Sequence, residues 1–177
     1  MGKMHFEKGQ LLVYGTSGVC VLDDIRLMKI TSDSLPEPYY ILKLKRDTQS
    51  SVFVPVGNEA LTSKMRELMS RDDIINMLEG AKDDLMEWDT DRRARTDRFR
   101  DILLDGVSDD LLRMVICLYE REKVLYKQGK KLPVTDSNTL KSAVKLLEEE
   151  FSYVLEIPQE EVGAFIRKEL EIPDDIE

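Results

Sequence analysis

The sequence predicts an α+β protein: a small N-terminal β-barrel of SH3- or Tudor-like type, then an all-α helical domain. Three observations predict it. Short apolar runs alternate with period two as far as Gly57, the pattern turns helical from there to the end, and Gly and Pro cluster in the first part at turn positions. With 177 residues, 42% of them hydrophobic, the chain can bury one or two cores and does not read as disordered. The expected division is a β-domain over 1–57 and a helical domain over 58–177.

In the first part, Gln10–Tyr14 forms a strand that ends at the turn cluster Gly15-Thr16-Ser17-Gly18. Val19–Leu22 is a second strand, Asp23-Asp24 a turn and Ile25–Ile30 a third strand. A loop stiffened by Pro36 and Pro38 leads to Tyr39–Lys45, with Tyr40, Leu42 and Leu44 on one face and Lys43 and Lys45 on the other. Ser51–Val56 is the fifth strand. Strands this short and this closely spaced suggest a strongly bent small barrel. If Val52, Val54 and Val56 face the core, Phe53 points outward, covered by the helical domain or free for a partner at a sheet edge.

In the second part, Asn58–Met69 and Asp72–Leu78 predict two short helices, with Ser70 or Asp72 as cap and Gly80 as stop. Asp83–Leu104 predicts a longer helix ending at Asp105-Gly106. Ser108 caps the next, whose apolar stripe is Leu111, Leu112, Val115, Ile116 and Tyr119 and which stops near Gly129. Pro133 introduces a helix carrying Leu140, Val144, Leu147, Phe151 and Leu155 on one face. Ile157-Pro158 breaks it, and a last helix carries Val162, Phe165, Ile166 and Leu170 before the acidic end Pro173–Glu177.

Composition excludes several function classes. No apolar run is long enough to cross a membrane and the first residues lack a signal-peptide core, so a cytoplasmic location is expected. Cys20 and Cys117 are far apart and are expected to be buried small hydrophobes, and His5 is the only histidine. No triad, zinc site or phosphate cradle can be assembled, so neither enzymatic activity nor a cofactor is expected.

The net charge of −9 argues against nucleic acid at first. It is uneven: residues 1–57 hold 7 basic and 6 acidic residues, leaving 19 and 29 for the rest. Within that acidic part Arg92, Arg93, Arg95, Arg98 and Arg100 follow the only tryptophan, Trp88. Local field decides where a phosphate backbone docks. On a continuous helix Trp88, Arg92, Arg95, Phe99 and Ile102 share a face. Trp88 then either caps the core above Phe99 or projects outward as an apolar wedge for a base step, while arginines hold phosphates. Asp91–Arg95 and Asp97–Arg100 could equally be structural pairs. Arg121, Lys123, Lys127, Lys130 and Lys131 form a second basic run, which favours a helix C-terminus or extends a phosphate track. Glu148-Glu149-Glu150 is expected to be a solvated face.

The succession Phe6-x-x-Gly9, Val13-Tyr14-x-x-x-Gly18-Val19, Tyr39-Tyr40-x-Leu42 and Val52-Phe53-Val54-Pro55-Val56 continues with Trp88 before an Arg-rich helix. It ends with Ile102-Leu103, Gly106, Leu118-Tyr119, Gly129-Lys130-Lys131-Leu132 and Leu146-Leu147-x-x-Glu150-Phe151. In this it resembles the CarD/CdnL family of bacterial transcription regulators, whose N-terminal part is similar to the RNA polymerase-interacting domain of transcription-repair coupling factors. The resemblance implies that the first domain binds the RNA polymerase β subunit, with Lys29, Val52, Phe53 and Val54 in contact. It implies that the helical domain meets promoter DNA at the upstream edge of the melting bubble and shifts open-complex stability. Trp88 inherits the wedge role, and Arg92, Arg93, Arg95, Arg98 and Arg100 the phosphate contacts. Two departures stand out: Phe53 occupies a position that is basic in some members, and Glu87, Asp89 and Asp91 flank Trp88. DNA binding is therefore expected to be weak unless polymerase raises the effective concentration. The alternative is a protein–protein adaptor docking on polymerase without DNA.

Overall fold

The computed structural model describes residues 6–171, so His5 and the acidic end from Pro173 lie outside the described residues. The chain divides into two compact units, Met1–Leu68 and Met69–Glu177.

The first unit is an antiparallel sheet of β1 (Leu11–Tyr14), β2 (Val19–Met28), β3 (Glu37–Leu44), β4 (Ser51–Pro55) and β5 (Met65–Arg66), with a one-turn helix α1 (Glu59–Thr62). Its order is β4-β3-β2-β1-β5, an open sheet with β4 and β5 at the edges. The expected closed barrel is thus not reached. β5 contributes only two residues, paired with Val13 and Tyr14 of β1, which leaves too little strand to meet β4. Asp23-Asp24 is not a turn either. β2 runs through it as one strand, and a register shift between Leu22 and Asp24 absorbs the irregularity as a β-bulge. The stretch expected as the helix Asn58–Met69 is helical only over α1, where the Asn58 side chain accepts the Leu61 N–H.

Alternation places the core as expected. Tyr40, Leu42 and Val54 are buried with Leu12, Cys20, Leu22 and Met65, and Leu44, Val52 and Val56 pack against them. Gly18 takes φ +75° after a single 3-10 turn, a conformation open to glycine that reverses the chain between β1 and β2.

The second unit holds α2 (Arg71–Ala81), α3 (Arg92–Asp105), α4 (Ser108–Lys127), α5 (Val134–Leu155) and α6 (Gln159–Glu169). Its core gathers the predicted stripes: Leu111, Leu112 and Val115 of α4, Leu140, Leu147, Phe151 and Leu155 of α5, and Val162 and Ile166 of α6. Cys117 is buried here, as Cys20 is in the first unit. No helix among the described residues is long and apolar enough to cross a membrane.

Two expectations about Ser108 and the Glu148-Glu149-Glu150 run are corrected. Ser108 does not cap α4; it is the helix's first residue, and its hydroxyl donates to Glu150 Oε2 at 2.9 Å. Glu149 and Glu150 are buried, not a solvated face. Glu150 also accepts the Met69 N–H at 3.0 Å, so one carboxylate serves the approaches to α2 and α4, where helix dipoles favour negative charge.

α2 begins in a capping box. Ser70 Oγ accepts the Asp73 N–H at 3.1 Å, and Asp73 Oδ2 accepts the Ser70 N–H at 3.0 Å. Ser70→Ala is expected to cost about 1 kcal/mol in urea unfolding. The Ser70 hydroxyl and N–H, both donating to Asp73, hold its carboxyl below the usual carboxylate range. A lowered folded-state pKa stabilises above the unfolded pKa and is lost as pH falls through the folded one. The difference in melting temperature between wild type and Asp73→Ala should therefore be full at neutral pH and shrink below about pH 4. A constant difference would show that the box contributes nothing through charge.

Candidate functional site

In the first unit, β4 pairs with β3 along one side only, and its outer side is a sheet edge. Period two turns Val52 and Val54 inward and Phe53 outward, where Phe53 is 50% exposed beside Ile41 on the neighbouring strand. Lys29 follows β2 and is exposed. Of the four residues expected at a polymerase contact, Lys29 and Phe53 are at the surface and Val52 is half-buried. Val54 is fully buried in the sheet core, so its side chain cannot touch a partner. Pro55 ends the strand and supplies no N–H to further pairing. Ile25, Leu27, Ile30 and Leu35 add exposed apolar surface on the β2–β3 arm.

In the second unit, Trp88 is not on a helix. α3 begins only at Arg92, and Leu85–Asp89 is irregular. Asp91 starts the helix by accepting the N–H groups of Arg93 and Ala94 at 2.8 and 3.0 Å. That cap sets the boundary, because its extended backbone interrupts any helix running in from Asp83. The indole is half-buried against the helical core, edge-on to Phe99 with ring centroids 6.5 Å apart. The Arg95 guanidinium lies 4.1 Å from the ring centroid and that of Arg121 5.1 Å.

The five arginines separate into three environments. Arg95 is 5% exposed and forms a two-pronged pair with Asp136, 2% exposed, through Nε at 3.2 Å and Nη2 at 2.9 Å. Its third donor, Nη1, reaches the Asp89 carbonyl at 2.8 Å. With these partners it is unavailable to phosphate, which removes it from the expected contact set. Arg100 is exposed and pairs with Asp97 at 3.2 Å and Asp101 at 3.7 Å. Arg92, Arg93 and Arg98 are exposed and carry no ion pair among the described residues. The expected helix face is therefore split: Arg95 and Phe99 turn inward while Arg92 stays outside, and Arg93 and Arg98, which are not part of that face, are exposed as well.

Asp136 and Arg121 are the residues that the sequence reading did not connect to Trp88. Asp136 lies four residues before Leu140, in line with the apolar stripe of α5. An acid on a core-facing stripe is the signal for a buried partner. Beside Trp88 is a cavity of about 240 Å³ lined chiefly by Leu85, Met86, Ile116, Cys117 and Val124. Burial pushes the Cys117 thiol up, which makes it a poor nucleophile. From the second basic run, Lys130 and Lys131 join Lys141, Ser137 and Asn138 along a cleft at the start of α5.

Residues 6–69 match the family of the CarD-like/TRCF RID domain. The chain carries a RID domain. A comparison with curated proteins returns no match. The matched residues nearly coincide with the first compact unit, so the RID domain here includes α1 and β5 and runs past Gly57. The RID domain implies interaction with RNA polymerase and hence a transcription-related role. The helical unit lies almost wholly outside the match.

Proposed function

We propose that the chain is a transcription regulator whose RID domain docks on the RNA polymerase β subunit and whose helical unit touches promoter DNA at the upstream edge of the bubble, altering open-complex stability. The RID match carries this reading. The open β4 edge with Phe53 supports it, because an exposed strand edge can take up a partner strand while an outward aromatic fills a pocket. In the helical unit the exposed part of Trp88 is the wedge, and Arg92, Arg93 and Arg98 hold the backbone. Lys130, Lys131 and Lys141 offer a continuation of that track.

The three arginine contacts alone, without the lysines, give weak, salt-sensitive binding. The slope of log K against log salt would be about −3. The net negative charge of 58–177 lowers affinity further, and tethering to polymerase offsets it.

The test is open-complex lifetime with cognate polymerase, comparing wild type, Trp88→Ala and no protein. A lifetime altered by wild type and returned to baseline by a folded, polymerase-bound Trp88→Ala supports the wedge. An unchanged lifetime despite polymerase binding favours the second reading, a protein adaptor, which the acidic helical half and the pairing of Arg100 with Asp97 and Asp101 already favour.

A further inference from the structure

Resting on the proposed role of Trp88, we infer that Arg95 is a positioning residue that fixes the indole for its partner, with Asp136 as its anchor. Trp88 is in a segment with no helix or strand to orient it. A side chain on such a segment samples several rotamers, and binding must then select one. Arg95 removes that freedom in three ways at once. Its Nη1 holds the Asp89 carbonyl, one residue beyond Trp88, at 2.8 Å. Its guanidinium lies 4.1 Å from the ring centroid, and its Nε and Nη2 are locked on Asp136 of α5.

Each contact uses a feature of arginine. The fork satisfies both carboxylate oxygens, the remaining nitrogen reaches the loop, and the flat delocalised cation lies against the ring. Lysine offers one compact ammonium and cannot do all three. Asp136 is in the first turn of α5, where the helix N-terminus favours its charge, so the anchor is itself fixed. Arg121, 5.1 Å from the indole centroid, is a second and looser restraint.

Trp88 is the only tryptophan, so its fluorescence reports its own environment without any DNA or polymerase. The experiment uses the full chain as wild type, Arg95→Lys and Asp136→Asn, each checked for a cooperative melt. Emission maximum and acrylamide quenching are read first, and open-complex lifetime second. Arg95→Lys is expected to shift the emission to the red, to raise quenching toward that of the urea-unfolded chain, and to lose the lifetime effect as Trp88→Ala does. Asp136→Asn is expected to move the fluorescence in the same direction by less. Adding Arg95→Lys to Trp88→Ala should then produce no further loss of lifetime. Wild-type emission and quenching in either folded variant would overturn the positioning role. Altered fluorescence with no lifetime effect of wild type would leave positioning standing and refute the DNA reading instead. Should Arg95→Lys not fold, Asp136→Asn decides alone.

Discussion

Replacing Asp136 by alanine should cost the helical unit about 3–5 kcal/mol, among the largest losses from any single substitution in the chain. The cost arises less from a lost attraction than from what remains. Arg95 would keep a full charge at 5% exposure with only the Asp89 carbonyl and the face of the Trp88 ring as partners, and no counter-charge. Desolvating an unpaired ion is far more expensive than forgoing a paired one. Urea unfolding followed by Trp88 fluorescence measures this in the helical unit, because the probe sits beside the pair. Replacing both partners by apolar residues of similar volume should restore most of the stability, since two buried charges disappear together. A single-variant cost under about 1 kcal/mol would mean that water reaches Arg95 readily and that its burial is not maintained in solution.

Phe53→Glu is the second large effect, on binding instead of folding. Phe53 is half exposed on an edge strand and absent from the sheet core, so the substitution should leave the melting curve within about 0.5 kcal/mol of wild type. An aromatic side chain filling a partner pocket is worth about 2 kcal/mol or more when lost. That corresponds to roughly a 30-fold weaker Kd for polymerase. Titration of labelled protein with polymerase core measures it. Unchanged affinity with an intact fold would place the RID contact elsewhere, with the β2–β3 arm bearing Leu27 and Leu35 the next surface to alter. Val54→Ala is the complementary control. It should lower stability through a cavity in the sheet core, and its effect on polymerase binding should be no larger than that loss explains.

The corrected placement of the arginines changes what the helical unit offers a phosphate backbone. Five basic residues in nine leave two readings open, one exposed charged face or pairing with nearby acids. Asp91 is used as a helix cap, Asp136 takes Arg95, and Asp97 and Asp101 take Arg100. Three exposed arginines without an ion pair among the described residues remain, together with a half-buried indole. Under the proposed DNA reading, such a surface would need a second contact on the same chain to hold it near a phosphate backbone.

Period determined the architecture. Alternation fixed which of Val52, Phe53 and Val54 faces outward, and the 3.6-residue stripes of α4, α5 and α6 fixed their buried sides, because each pattern has only one face that can leave water. Gly106 and Pro158 marked ends through their own backbone limits. Contacts between residues distant in sequence decided the rest. Closure of the sheet depended on which strand reached β1, and a two-residue piece at Met65 did so where the local pattern suggested a helix. The helix expected through Trp88 was cut by the Asp91 cap, a single hydrogen-bonded residue that helical spacing cannot reveal. Arg95 and Asp136 are 41 positions apart, and nothing in either segment alone names the other. What the sequence did contain was a charge on each apolar stripe. Burying both is tolerable only when they meet, and only the packing of α3 against α5 brings them together.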